Sequence, residues 1–218
     1  MQKLFKNHYY DFFTKDRVRG LIVALIFLGL AVIFQSYATN YAAKAPSISV
    51  PDLILSHLPI VNMNAIVVEG ALWAIFCSVL LLLYKPHYLI FTLKTAAIFI
   101  ATRAVFVSLT HVGIYPGQIN PDIGFFDNIY TSLGLQTGFF FSGHVGLTLL
   151  MSLIFWHEKF WRYAYMILSV VFGVSVLLAH VHYSIDVFAA PYITYGIFKM
   201  SEYFFKEDYR VLREYISR

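Results

Sequence analysis

Two histidines and one aspartate in this sequence have the side-chain types and the spacing that covalent catalysis needs. Asp186 follows His182 by four residues, so both side chains share one face if a helix begins near His182. A carboxylate that accepts a hydrogen bond from one imidazole nitrogen fixes the tautomer and leaves the other nitrogen as a nucleophile or base. The second histidine, His144, follows Ser142 and Gly143, and the glycine allows close backbone packing where an imidazole must reach a substrate. Together the two histidines can supply a nucleophile and a general acid.

Arg103 adds a group that suits phosphate. Its guanidinium is planar and permanently charged, and its fork of N–H donors matches the geometry of phosphate oxygens. The residue lies inside a long apolar stretch, where a charge is costly unless it has a function. Arg103 and the two histidines therefore predict chemistry on a phosphate group.

The elements that must position these residues are membrane-spanning helices. Of the 218 residues, 59% are hydrophobic and 13% are charged, and the mean hydropathy is +0.68. This composition excludes a disordered, a fibrous or an ordinary soluble protein. A helix needs about 20 apolar residues to cross the hydrocarbon core. We predict an all-α integral membrane protein with six transmembrane helices, at residues 21–38, 65–84, 88–109, 138–156, 160–179 and 183–204.

The basic residues predict the orientation of these spans. Most lysines and arginines lie in the N-terminal segment, after the second and fourth spans, and in the C-terminal segment, whereas the alternate connections contain only Lys44. Both termini are therefore expected in the cytoplasm, with the connections 39–64 and 110–137 outside. The predicted organisation is a cytoplasmic interfacial segment (1–20), a six-span membrane domain (21–204) and a basic cytoplasmic tail (205–218).

The ionisable residues inside the predicted spans collect at one depth. A charge at the centre of a bilayer costs about 2.5–3.5 kcal/mol on insertion scales, so such residues are functional candidates. Six ionisable residues, in the predicted spans or in the turn between the fifth and sixth, lie near the outer leaflet in the predicted topology: Glu69, Arg103, His144, His180, His182 and Asp186. Glu69 by itself is expected to pair with a basic residue. Lys94, in the inner half, is expected to extend toward cytosolic headgroups. The clustering predicts an active site toward the outer face.

Simpler interpretations of the same residues stay open. An intramembrane histidine often serves as a hydrogen-bond partner between helices, and Arg103 alone can be an interfacial anchor. His180, His182 and Asp186 form a possible metal-ligand set, although the sequence offers no thiolate cluster and no clear further ligand. Ser142 lacks the G-x-S-x-G surroundings of a hydrolase nucleophile. The single cysteine and the absence of a glycine-rich phosphate loop or a basic-aromatic platform predict no metal, no cofactor and no nucleic-acid partner.

Four segments resemble motifs of the sphingomyelin synthase family, in the family's order. The run A-H-V-H-Y-S-I-D-V at 179–187 resembles the motif A-H-x-H-Y-[TS]-[IV]-D-V, and F-S-G-H at 141–144 with L-T-L at 147–149 resembles the S-G-H-T motif. Arg103 with Thr110 and Y-P-G at 115–117 resembles the arginine-to-proline motif, and V-P-D at 50–52 weakly resembles P-L-P-D. This family is part of the type 2 phosphatidic-acid phosphatase superfamily of membrane lipid phosphatases and phosphotransferases.

The resemblance implies a role for each candidate residue. His182 would be the nucleophile on phosphorus, Asp186 its orienting partner, and His144 the acid that protonates the departing alkoxide. The family's acidic residue before S-G-H is absent at Gly138, and Val176 stands where lipid phosphatases have a phosphate-binding arginine. The residues expected to bind substrate are Arg103, Ser142, Gly143, His180 and Tyr183.

The sequence therefore predicts a membrane lipid phosphotransferase. It would move a phosphocholine-like headgroup from a glycerophospholipid to a lipid alcohol such as ceramide or diacylglycerol, through a phosphohistidine, with membrane lipids as its partners. The enzymatic alternative is a lipid phosphate phosphatase, in which water replaces the alcohol. A small transporter or scaffold is the non-enzymatic alternative, and the absence of paired half-spans or inverted repeats disfavours it.

Overall fold

Helices are the expected backbone structure for an apolar chain because they pair their own N–H and C=O groups. The computed structural model describes residues 14–45, 47–118 and 140–216. Within these ranges the chain forms helices and no β-strand, so the all-helical prediction is confirmed there. A π-helical segment, Ala65–Gly70, directly precedes the second α-helix, and short 3-10 helices occupy Leu55–His57 and Pro86–Tyr88. The α-helices are α1 (Lys15–Lys44), α2 (Ala71–Tyr84), α3 (Leu89–Leu109), α4 (Gly143–Ile154), α5 (Lys159–Leu178), α6 (Ser184–Phe204) and α7 (Lys206–Ile216).

Four stretches in the described ranges are long and apolar enough to cross a membrane. They are Lys15–Lys44, Ala65–Tyr84, Pro86–Leu109 and Lys159–Leu178. The predicted fourth span corresponds to α4, which is apolar but has 12 residues. The predicted sixth span corresponds to α6, which has 21 residues and includes polar and charged side chains such as Asp186 and Lys199. An integral membrane protein is supported, whereas the count of six spans and the cytoplasmic termini stay predictions.

The connections that follow α1, α3 and α5 meet at one end of the helix bundle. The Val61 N–H donates to the Leu178 carbonyl at 2.9 Å, and the Gly113 N–H donates to the Ile48 carbonyl at 3.0 Å. Gly113 must be a glycine, because a Cβ there would lie 2.8 Å from the backbone of Ile48. We call this end, formed by residues 47–64, 110–118 and 179–183, the site end.

The connections after α2 and α4 meet at the opposite end, together with α7. The Lys85 ammonium pairs with the Glu158 carboxylate, and the His87 ring stacks on Tyr215 of α7 with 4.1 Å between centroids. Leu212 of α7 is buried. We call this end, formed by residues 85–88, 155–158 and Lys206–Ile216, the tail end.

The sequence predicted that Lys94 extends toward cytosolic headgroups, but in the structure Lys94 pairs with an acidic side chain. Its Nζ lies 2.6 Å from Oδ2 of Asp208 in α7, and the two side chains are only 13% and 20% exposed. An ammonium this far from water is stabilised by a partner of opposite charge. The prediction was wrong because α7 folds against α3 and brings a carboxylate to the lysine, which a pattern within α3 alone does not reveal.

Small residues allow the close helix packing that positions the site. Helix α1 runs beside α3 in the same direction, with Ala24 on Ile90 and Ala38 on Ala104. Gly146 of α4 lies against α3 so closely that a Cβ there would be 2.5 Å from Cζ of Phe99. This close approach holds the first turns of α4 against α3 at the depth of Arg103.

Candidate active site

Asp186 and His182 form a buried pair at the start of α6. Nδ1 of His182 lies 3.1 Å from Oδ2 of Asp186, and the side chains are 6% and 2% exposed. The Tyr183 N–H donates to the same oxygen at 3.1 Å. Since an ionised carboxylate can only accept hydrogen bonds, the contact places a proton on Nδ1, so the lone pair of the neutral His182 ring is on Nε2. The i,i+4 pairing predicted from the spacing is thus present in the structure.

The chain segment before α4 is docked on this pair. The Phe140 N–H donates to Oδ1 of Asp186 at 3.1 Å, and the Ser142 N–H donates to the Asp186 carbonyl at 2.9 Å. Phe140 and Phe141 have positive φ angles of 87° and 40°, which cost a bulky residue about 1–3 kcal/mol each. Such strain persists only where surrounding contacts hold it. The contacts with Asp186 therefore fix the point where α4 begins.

His144 lies beside His182 and is oriented by the segment that precedes α2. The two imidazole centroids are 6.1 Å apart. Nε2 of His144 lies 3.0 Å from the carbonyl oxygen of Val67, in the π-helical segment Ala65–Gly70. Because a carbonyl only accepts, His144 carries a proton on Nε2, and Nδ1 holds the lone pair in the neutral ring. π-Helical turns are frequent at functional sites, and this one supplies the hydrogen bond that fixes His144.

Arg103 reaches the same location from α3. Its side chain is 9% exposed, and its Nε would lie 3.6 Å from a Cβ built on Gly143, the first residue of α4. The absence of a side chain at Gly143 thus lets the arginine approach the helix N-terminus next to His144. Helix N-termini attract anions through their unpaired N–H groups. The structure brings a guanidinium, a helix start and two imidazoles together.

Ser142 and His180 are buried beside these groups. Ser142 is fully buried as the N-cap of α4. His180 is 3% exposed, has a positive φ of 54°, and packs edge-on against Tyr115 with 5.4 Å between centroids. Within the described ranges, neither the Ser142 hydroxyl nor the ring nitrogens of His180 have a hydrogen-bond partner. Their predicted contact with substrate stays a prediction.

Tyr183 connects the site to the rest of the site end. Its hydroxyl donates to the Gly113 carbonyl at 2.8 Å and accepts from the Val50 N–H at 3.3 Å. The side chain therefore ties two connections to the His182 turn, and its predicted contact with substrate stays a prediction. Glu69 is exposed, and no ion pair to it is present in the described part of the chain.

Asp52 is a site-end residue that was not among the predicted catalytic or substrate-binding residues. Its Oδ1 accepts the N–H groups of Ile54 and Leu55 at 2.9 and 3.0 Å, and its Oδ2 accepts the Ser184 N–H at 2.7 Å. Burial raises the pKa of Asp52, but the backbone hydrogen bonds from Leu55, Ser184 and Ile54, together with one from the Ser184 side chain, outweigh it and hold the pKa below its usual range. The local turn was recognisable from Pro51-Asp52. The contact with Ser184 was not, because it joins residues 132 positions apart.

Metal binding gains no support from the arrangement. In the three ranges that the structure covers, no group of three or more His, Cys, Asp or Glu side chains is placed to hold a metal ion. The alternative ligand set of His180, His182 and Asp186 is therefore not assembled as a metal centre. The geometry instead resembles a nucleophile, an orienting carboxylate and a second imidazole.

A comparison with protein families agrees with this chemistry. Residues 137–203 match the family model described as PAP2 superfamily C-terminal. The match supports membership of the type 2 phosphatidic-acid phosphatase superfamily. It includes His144, His182 and Asp186, but not Arg103. No curated protein and no solved structure matches the chain. The superfamily match suggests a lipid phosphatase or phosphotransferase activity.

Proposed function

We propose that this protein is a membrane phosphotransferase that moves a phospho-headgroup between lipids through a phosphohistidine. The observation that carries the proposal is the buried pair of His182 and Asp186, 3.1 Å apart, with the His144 ring 6.1 Å from that of His182. Covalent catalysis on phosphorus needs an unprotonated nitrogen, a group that fixes its tautomer, and a separate acid. His182 in the turn before α6, Asp186 in the first turn of α6 and His144 in α4 are the candidates for these three roles.

In the first half-reaction, Nε2 of His182 attacks phosphorus of the donor lipid. The bond from phosphorus to the glycerolipid oxygen breaks, and His144, which enters this step protonated on both ring nitrogens, gives its Nδ1 proton to the departing alkoxide. Asp186 stabilises the positive charge that develops on the His182 ring, as the aspartate of a catalytic triad does. The products of this step are a neutral lipid alcohol and a phospho-headgroup bound covalently to His182.

In the second half-reaction, the hydroxyl of an acceptor lipid attacks the phosphohistidine. His144, now neutral with its lone pair on Nδ1, removes the hydroxyl proton, and the bond from phosphorus to Nε2 of His182 breaks. The resemblance in residues 141–144 and 179–187 supports ceramide or diacylglycerol as the acceptor class and a phosphocholine-like headgroup as the cargo. With a phosphate-monoester donor such as phosphatidic acid, the phosphoryl group on His182 would carry no headgroup, and its hydrolysis by water would make the protein a lipid phosphatase.

The charge of the site favours a phosphodiester over a phosphate monoester. A monoester carries about −1.5 to −2 at pH 7, whereas a diester carries close to −1, and uncompensated charge in a buried site is costly. Arg103 supplies one permanent positive charge beside the start of α4. Val176, where a lipid phosphatase has an arginine, is fully buried and apolar. Among the described residues of the site, this one fixed cation matches the single negative charge of a phosphodiester, such as that in phosphatidylcholine.

The orientation that we propose has six spans, both termini in the cytoplasm and the site end outside. Basic residues at the tail end, among them Lys85 and Arg213, support it through the positive-inside rule. The test replaces the native Cys77 by serine and introduces Leu53→Cys, at an 81% exposed position of the site end, or His157→Cys at the tail end. An impermeant thiol reagent added to intact cells should label the first and not the second. The opposite pattern would invert the orientation.

The activity is tested with purified protein in liposomes that contain headgroup-labelled phosphatidylcholine and ceramide or diacylglycerol. Wild type should transfer the label to the alcohol and His182→Ala should not, while the matched control His157→Ala, an exposed histidine at the tail end, should retain activity. A fully active His182→Ala would refute the mechanism. Faster phosphate release from phosphatidic acid than headgroup transfer from any diester would favour the phosphatase. Lipid flux without turnover in the same vesicles would indicate a transporter.

A further inference from the structure

Two adjacent backbone N–H groups at the start of α6 donate to two different carboxylates. The Tyr183 N–H donates to Oδ2 of Asp186 at 3.1 Å. The next one, the Ser184 N–H, donates to Oδ2 of Asp52 at 2.7 Å. Asp186 also accepts from Nδ1 of His182 through the same Oδ2. The first turn of α6 therefore uses one acid from its own helix and one from a distant connection.

The division matters because unpaired N–H groups at a helix start attract carboxylates. The first turn of a helix has N–H groups without intrahelical partners, and its partial positive charge favours an acidic side chain. Asp186 is the third residue of α6, a position from which an acidic side chain commonly reaches back to the helix start. If the Ser184 N–H had no acceptor, Asp186 would be drawn toward it and away from His182.

We infer that Asp52 is a positioning residue for the His182–Asp186 pair: by occupying the Ser184 N–H, it keeps the Asp186 carboxylate on Nδ1 of His182. The inference rests on the proposed function, because it assigns a role in keeping His182 in the nucleophilic tautomer. Within the described residues Asp52 makes no hydrogen bond to either histidine, and it acts through its contact with Ser184 at the start of α6.

Asp52 is itself held in place, which a positioning role requires. Its other oxygen accepts two N–H groups of its own connection, from Ile54 and Leu55. Two residues earlier, the Val50 N–H donates to the Tyr183 hydroxyl at 3.3 Å. The segment around Asp52 is thus fixed to the catalytic turn at two points, one on each of the consecutive residues Tyr183 and Ser184. A carboxylate fixed in this way can hold the helix start without rearrangement.

The test removes each side of the contact separately. Asp52→Ala removes the acceptor. Ser184→Pro removes the N–H donor, at the first helical position, where proline is well tolerated. The residue before it, Tyr183, has a φ of −68° and a ψ of 156°, and this extended backbone suits a residue that precedes proline. Ser184→Ala keeps the N–H and controls for the hydroxyl. Glu69→Gln, at an exposed position of the helical segment that follows the site-end connection 47–64, is the control for loss of an acidic charge. If Asp52→Ala does not fold, Asp52→Asn, of equal size, replaces it.

Two measurements read the result. In the liposome assay, Asp52→Ala should lower kcat about tenfold or more, as loss of a group behind a functional histidine commonly does, while KM changes less than about twofold. Asp52→Ala combined with Ser184→Pro should lose no more than Asp52→Ala alone, because both changes break one contact. In ¹⁵N-histidine NMR spectra, the His182 signal, identified by its loss in His182→Ala, should change from the Nδ1-protonated form to a mixture of tautomers in Asp52→Ala.

The inference is overturned if Asp52→Ala keeps kcat within about twofold of Glu69→Gln, or if its effect and that of Ser184→Pro are additive. A His182→Ala variant as active as wild type would refute the proposed function instead. In that case the NMR measurement still decides the inference, because it needs no substrate: an unchanged His182 tautomer in Asp52→Ala refutes it.

Discussion

Replacing Asp186 by asparagine tests the centre of the site, because the carboxylate accepts three hydrogen bonds that an amide cannot all keep. The donors are the Phe140 N–H on Oδ1, and the Tyr183 N–H with Nδ1 of His182 on Oδ2. An amide group has one oxygen. With its NH₂ toward Phe140 it keeps two of the three bonds, whereas the reverse orientation keeps one. We therefore expect the first orientation, which leaves the Phe140 N–H opposite a donor.

The structure gives the magnitude of two separate effects. One backbone N–H without an acceptor costs about 1–3 kcal/mol when it is buried, so the free energy of unfolding should fall by about that amount. The loss of negative charge beside His182 affects the transition state, in which the ring becomes positive. In a serine protease triad the equivalent exchange lowers kcat by about 10⁴. We expect a loss of similar order here, with KM little changed.

The assay compares Asp186→Asn with Asp208→Asn in the same liposomes. Asp208→Asn removes the carboxylate that pairs with Lys94 at the tail end, and so it should lower stability without lowering kcat. Unfolding is followed in detergent by heating, and transfer by the lipid assay. If kcat of Asp186→Asn falls no further than that of Asp208→Asn, the carboxylate does not act on His182 and the reasoning fails.

Three further predictions concern residues that support the site. Gly146→Ala should destabilise the protein by up to about 2 kcal/mol, because the new Cβ lies 2.5 Å from a ring carbon of the neighbouring phenylalanine on α3. The overpacking cost of about 1–3 kcal/mol is reduced by a helix-propensity gain of about 1 kcal/mol. The control Gly196→Ala, with no atom within 4 Å, should stabilise, and equal midpoints would contradict the packing argument. The lowered pKa of Asp52 means that its ionised form stabilises the fold above about pH 4, and that this contribution disappears as the pH falls through the folded-state pKa. The difference in unfolding midpoint between wild type and Asp52→Asn should therefore shrink on acidification. A difference that stays constant with pH would contradict the stabilising role of the ionised Asp52 carboxylate. Tyr183→Phe removes two hydrogen bonds of the site end and should cost about 1–3 kcal/mol, whereas Tyr192→Phe, at an 80% exposed position, should cost nothing measurable in the same unfolding experiment.

Several features of the site were predictable because they depend on neighbouring residues. The pairing of His182 with Asp186 follows from a four-residue spacing at a helix start, since the helix itself sets which side chains meet. The helical class followed from hydropathy, because an apolar backbone must satisfy its own hydrogen bonds. Gly143 and His144 are consecutive residues, so their proximity requires no tertiary contact. In each case the physical cause acts within about one turn of the chain.

Other features required contacts between distant segments. The pairing of Lys94 with Asp208 joins residues 114 positions apart, and it reversed the expectation of a lysine that extends to headgroups. His144 is oriented by the Val67 carbonyl, 77 positions away. A backbone carbonyl has no residue type, so no sequence pattern marks it as a hydrogen-bond partner.

The residue types of the site, the pairing of His182 with Asp186 and the helical, apolar nature of the chain can be read from the amino-acid sequence. These depend on side-chain chemistry and on the repeat of a single helix. Tertiary packing, in contrast, sets the 6.1 Å between the two imidazoles, the approach of Arg103 to α4 at Gly143, and the contact of Asp52 with α6 at Ser184. Those distances depend on how helices pack, which small residues and long-range hydrogen bonds set jointly, and no short segment contains that information.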